Sequence, residues 1–178
     1  WKDAGRKKDI VGWAKKVNAN VMELGLQSQF RCNGSDGYLA WVDHSLQIRN
    51  TATTSLEDID FDFRVFDDPN EMRRLIEEKN QENNKARMVA GYCWDWVTQK
   101  TRIGTDVNLS AYAFSMRWNL KDDGGLWIMK PESVSEIGCI HTCQGLELDY
   151  IGVIIGPDLI VRGSTVKTQP EKRSKMDA

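Results

Sequence analysis

Two short runs of apolar, largely β-branched residues, Ile137 to Ile140 and Ile151 to Ile155, bracket a polar connection that contains Gly145. Runs of this length and composition read as strands buried on both faces, the signature of parallel strands in an α/β sheet. The connection after such a strand leaves from its carboxyl end, where open α/β sheets hold their ligands. The pair therefore predicts an α/β fold with a mostly parallel sheet, flanking helices, and a candidate site just after Cys139.

The rest of the chain is consistent with that class. Ile10, Val11, Trp13, Ala14 and Val17 recur at helical spacing and predict an amphipathic helix over about residues 6–18, with Lys7, Lys8, Lys15 and Lys16 on a solvated face. Val21, Met22, Leu24 and Leu26 read as a short strand. Ser35 is placed to cap a second helix that carries Tyr38, Leu39, Trp41, Val42 and Leu46 and ends near Gln47. Phe61, Phe63 and Val65 alternate with Asp62 and Arg64 as a strand would. Asp68-Pro69-Asn70-Glu71 then sets a capping Asp, a first-turn Pro and a Glu three residues after the cap. With a strand resuming at Ala86 to Tyr92, the spacing predicts a βαβ unit. Residues 97–136 read as an inserted hairpin-like β segment, with Phe114, Met116 and Trp118 on one strand, Asp123-Gly124-Gly125 as the turn and Leu126-Trp127-Ile128 as the return. Residues 1–165 are read as one lobe and 166–178 as a flexible polar tail or loop.

Charge and composition exclude several classes. The 178 residues carry 24 Lys and Arg against 26 Asp and Glu, a formal charge of −2, so contact with nucleic acid is local rather than a general basic coat. Four cysteines are too few for a disulfide scaffold and favour a reducing, cytoplasmic setting. The apolar stretch from Tyr150 to Ile155 is cut by Gly156-Pro157-Asp158, far short of the about 20 residues a membrane helix needs, and no membrane partner is expected. The chain opens on Trp1 without a signal-peptide layout and reads as an excised piece of a longer polypeptide.

The connection itself, Cys139-Ile140-His141-Thr142-Cys143-Gln144-Gly145-Leu146-Glu147-Leu148-Asp149-Tyr150, resembles motif V of superfamily 1 helicases. His141, Gln144, Gly145, Glu147 and Asp149 fit that pattern. Upstream, Leu26-Gln27-Ser28-Gln29-Phe30-Arg31-Cys32 resembles motif IV. Together with Gly152 to Leu159, Asn33 to Trp41 and Ala86 to Trp96, the chain resembles along nearly its whole length a bacterial domain-of-unknown-function family described as a Schlafen-type DNA/RNA helicase domain.

The resemblance implies the second RecA-like lobe of a superfamily 1-like helicase or translocase. It implies Arg31 as a catalytic arginine finger, Gln144, Gly145 and Glu147 as nucleotide-binding, and His141 and Thr142 as nucleic-acid-binding. Trp94, two residues from Trp96 beyond a strand, is a candidate for stacking nucleobases. Each has a plainer reading: a surface or ion-paired Arg31, helix-terminus capping by Gln144 and Glu147, a core His141, and core packing by the tryptophans. Asp149 reads as bracing the turn rather than doing chemistry.

No G-x-x-x-x-G-K-[ST] phosphate loop occurs in the chain. The expected cofactors, ATP and Mg2+, then belong to the full-length protein, none is expected on this chain by itself, and the first RecA-like lobe of the same polypeptide is an expected partner beside single-stranded DNA or RNA. Cys139, His141 and Cys143 do not have zinc-knuckle spacing, and no metal site is expected. A catalytically inactive RecA-like scaffold or protein-interaction module is the competing class.

Overall fold

A computed structural model describes residues 7–22, 32, 35–101, 103–119, 126–143 and 145–176. The chain forms two compact units, residues 1–45 with 50–61 and residues 46–49 with 62–178.

The first unit holds α1 (Lys7–Lys16) and α2 (Asp36–Ser45). Ser35 caps α2 as expected, its Oγ accepting from the Tyr38 N–H at 3.2 Å. Tyr38 stacks on Phe61 with ring centroids 3.7 Å apart. Most of the strand expected at Val21 to Leu26 lies outside the described residues.

In the second unit, Asp68 accepts from the Asn70 N–H at 2.8 Å and starts α3 (Pro69–Asn83), which ends on Asn84 in a left-handed conformation with φ 60°. β1 (Ala86–Ala90) follows directly. The remaining strands of its sheet are β2 (Val107–Leu109), β3 (Phe114–Trp118), β4 (Glu136–Cys139) and β5 (Tyr150–Ile154). Their order is β2-β3-β4-β1-β5. β3, β4, β1 and β5 run parallel, and β2 pairs antiparallel with β3. Short helices α4 (Thr98–Thr101) and α5 (Ile140–Cys143) follow β1 and β4, and β6 (Leu159–Arg162) with β7 (Thr165–Thr168) forms a separate antiparallel hairpin. The mostly parallel α/β class read from the sequence is the class observed.

Both faces of the sheet are covered through a glycine. Gly152 stands beside Met88, and a Cβ on it would lie 3.2 Å from Met72 and 3.1 Å from Ile76, so α3 packs closely there. Gly138 points to the opposite face, where a Cβ would lie 2.7 Å from Trp127 and 2.6 Å from Cys143 Sγ. Met88, Trp118, Trp127 and Ile137 are fully buried, each contributing about 1.5–3 kcal/mol or more of transfer free energy.

Several local expectations fail for physical reasons. Residues 61–65 are irregular: Phe61 stacks on Tyr38, while Phe63 and Val65 are exposed, so the alternation has no ladder to join. The βαβ unit ending at β1 therefore lacks its first strand. Residues 126–129 form a 3₁₀ turn rather than the return strand, since Trp127 is buried over Gly138 and its indole N–H donates to Glu136 at 3.1 Å. The antiparallel partner of β3 is the three-residue β2, and β3 itself joins the main sheet. β5 is buried on one face only, because it is a sheet edge and Ile151 and Val153 stay exposed. Beyond Val161 the polar segment closes the β6–β7 hairpin. Among the described residues no helix is long and apolar enough to cross a membrane.

Candidate functional site

The register sets Ala90, Cys139 and Ile154 level with one another, so the segments after β1, β4 and β5 emerge at one edge of the sheet. Trp118 lies on the α3 face, and its indole N–H donates to the Trp94 carbonyl at 3.2 Å, which places the connection leaving β1 on that side. α5 leaves β4 toward the opposite face, where Cys143 meets Gly138. Adjacent strands whose connections depart to opposite faces define a topological switch point, and a crevice at the carboxyl ends of those strands is where such sheets bind ligands.

Several side chains build this edge. Asn119, buried just beyond β3, accepts from the Cys139 N–H at 3.0 Å, and its own N–H donates to Ile137 at 2.9 Å. This splints β3 to β4 at the point where α5 begins. Thr142 Oγ1 lies 3.3 Å from Cys139 Sγ. His141 is exposed and meets the buried Tyr92 ring edge-on at 6.4 Å, and Tyr92 leans on Trp118 at 5.5 Å. Trp94 and Trp96 are half-buried and pack against the core. A side chain at Gly156 would overlap Cys93 and come within 3.3 Å of Trp94, so that glycine admits the indole.

The connection then crosses the sheet to its other edge. Asp149 donates its N–H to the Lys85 carbonyl at 2.9 Å, just ahead of β1, and accepts from Asn83 Nδ2 at 2.5 Å. It braces the turn. Exposed Glu147 stands two residues before it, so His141 and Thr142 lie at the carboxyl edge and Glu147 lies toward the amino edge. Gly145 has φ +80°, with open space where a Cβ would sit. Arg31 and Gln144 lie outside the described residues.

The thiols here are not activated. Burial, with a smaller contribution from Cys139, pushes Cys143 up to about 12; burial and the Asp158 carboxylate push Cys93 up to about 11. Among the described residues no group of three or more His, Cys, Asp and Glu is arranged to hold a metal. Gly104, Gly145 and Gly163 have positive φ, each with open space where a Cβ would sit.

Sequence reading missed the buried polar groups behind the site, because their partners are distant in the chain. Arg87 is fully buried and donates to Ser133 Oγ at 2.9 Å, to the Ile128 and Lys130 carbonyls at 2.8 and 3.0 Å, and to Asn80 Oδ1. Burial holds its guanidinium below the usual arginine range, with Glu136 opposing. Asp106, also buried, accepts from the Thr98 N–H and hydroxyl at 2.8 and 2.6 Å and from the Trp118 N–H at 2.9 Å. It ties the start of α4 to β3.

An uncharacterized protein of Saccharomyces cerevisiae, YPL245W, is 26% identical over 163 residues, which is 82% of this chain and 35% of that protein. The chain thus spans about a third of the length of that relative. No solved structure matches the chain significantly. The family profile described as "Schlafen group 3, DNA/RNA helicase domain" matches residues 1–178, and the chain belongs to that family.

Proposed function

We propose that the chain is the second RecA-like lobe of a nucleic-acid-dependent ATPase, contributing part of a single-strand groove and the far side of an ATP site. The observation that carries this reading is the carboxyl edge at the switch point, where His141 and Thr142 on α5 lie beside the Tyr92 to Trp94 segment. The exposed imidazole and the half-buried hydroxyl there can donate to phosphates and sugars, while the half-buried indole offers a stacking surface. ATP and Mg2+ would be cradled by the preceding RecA-like lobe of the same polypeptide. Arg31, Gln144, Gly145 and Glu147 would complete the site from this side, and closure of the lobes would move the strand.

The test is ATP turnover by the full-length protein with and without single-stranded DNA and RNA. The proposal expects stimulation by a strand, with His141→Ala reducing that stimulation. Turnover that is absent under both conditions would favour the scaffold reading. One observation supports that second reading: the exposed apolar stripe of Ile151 and Val153 on the edge strand β5, continued by Ile155 just beyond it, a surface suited to a protein partner.

A further inference from the structure

One basic stretch of the described chain lies outside the site above. Residues 159–176 hold Arg162, Lys167, Lys172, Arg173 and Lys175 against the single acid Glu171, in a chain whose net charge is −2. The hairpin register pairs Ile160 with Lys167 and Arg162 with Thr165, so Arg162 and Lys167 share one face as diagonal neighbours, about 7 Å apart. Both are exposed, and that face carries no acid. We propose that the β6–β7 hairpin and the turn after it form a phosphate-binding arm that guides a nucleic-acid single strand toward the carboxyl-edge crevice. The strand's identity as the ligand rests on the proposed function above.

Anchoring supports an arm rather than a loose tail. Gln169 donates its N–H to the Asp158 carbonyl at 2.6 Å and its Nε2 to the Pro157 carbonyl at 2.7 Å, closing the base of the hairpin. Gln47 holds the tip, donating to the Ser164 carbonyl at 2.7 Å and accepting from the Val166 N–H at 3.2 Å. Beyond β7, buried Ser174 donates its N–H to the Tyr92 carbonyl at 2.9 Å and its hydroxyl to Asp95 at 2.5 Å. The basic stretch is therefore fastened at its far end to the same 92–95 segment that carries Trp94. A basic stretch anchored beside half-buried aromatics brings together the two elements of single-strand binding, backbone attraction and base stacking.

The test is fluorescence anisotropy of fluorescein-labelled oligo(dT) and oligo(rU) with this chain across a salt series. The double variant R162E/K167E should bind at least tenfold more weakly and lower the log-affinity against log-salt slope by about 1.4, at about 0.7 per lost phosphate contact. K15E/K16E on α1 makes the same change in charge and should have a smaller effect. Wild-type affinity in R162E/K167E, or an equal loss in K15E/K16E, would overturn the arm. His141→Ala separates the two claims: if it leaves binding intact while R162E/K167E loses it, the arm stands and the crevice reading fails. A wild-type chain that binds phosphatidylserine vesicles but neither oligonucleotide would overturn both.

Discussion

The side-chain oxygen of Asn119 accepts the backbone N–H of Cys139 at 3.0 Å, joining the end of β3 to the last residue of β4 where α5 takes over. The bond is buried. Removing it strands the Cys139 N–H away from water, which costs about 1–3 kcal/mol. Asn119→Ala should lower stability to urea by that amount. A loss below about 0.5 kcal/mol would mean that the Cys139 N–H finds water or another acceptor.

Arg87 joins α3, β1 and the 126–135 segment through neutral oxygens rather than through one carboxylate partner. Replacing it with Leu leaves several acceptors buried without donors, each costing about 1–3 kcal/mol, so Arg87→Leu should destabilise the chain by about 3 kcal/mol or more. Chemical denaturation measures this. A change below 1 kcal/mol would mean that the surrounding oxygens find water.

The glycines should respond in a defined order. Gly138→Ala places a Cβ 2.6–2.7 Å from Cys143 and Trp127, an overpacking expected to cost about 1–3 kcal/mol. Gly145→Ala meets open space but keeps φ +80°, and the left-handed conformation alone costs about 1 kcal/mol. Thermal unfolding of the two variants should rank Gly138→Ala as the more damaging.

Thiol chemistry gives a pH prediction. Cys143 and Cys93 are pushed up to about 12 and about 11 in the folded chain, whereas an unfolded thiol titrates near about 8.5. Above that lower value the unfolded chain releases these protons first. Stability should therefore be fully present below about pH 8.5 and decline as the pH rises toward the folded values. Urea titrations from pH 7 to 10 read the slope, and Cys143→Ala should flatten it. In the same window Ellman's reagent should attack both thiols far more slowly in the folded than in the unfolded chain.

What was legible in the sequence is what local chemistry decides. Asp68-Pro69-Asn70-Glu71 set the start of α3 because cap, proline and turn act within four residues. The runs at Ile137 and Ile151 gave β4 and β5, and the polar connection led to the carboxyl edge, because a parallel strand must exit there. What stayed hidden depends on distant partners. Phe61 to Val65 alternates over five residues and β2 over only three, yet β2 forms because β3 offers it a ladder and Asp106 fixes its approach. Trp127 looked like a strand residue until Gly138 made room for its ring. Arg87 and Asn119 sit in unremarkable stretches, and their importance comes from groups 46 and 20 positions away. The separation of His141 from Glu147 was likewise invisible, since one continuous motif spans both edges of the sheet.

The most direct test of the carboxyl-edge crevice is photocrosslinking of a 5-iodouridine-substituted single strand to the chain, with the adducts mapped by mass spectrometry. The crevice predicts adducts on Trp94 or His141, lost when unlabelled strand competes. Adducts confined to α3, to the amino-edge residues around Asp149, or to the β5 stripe would contradict it.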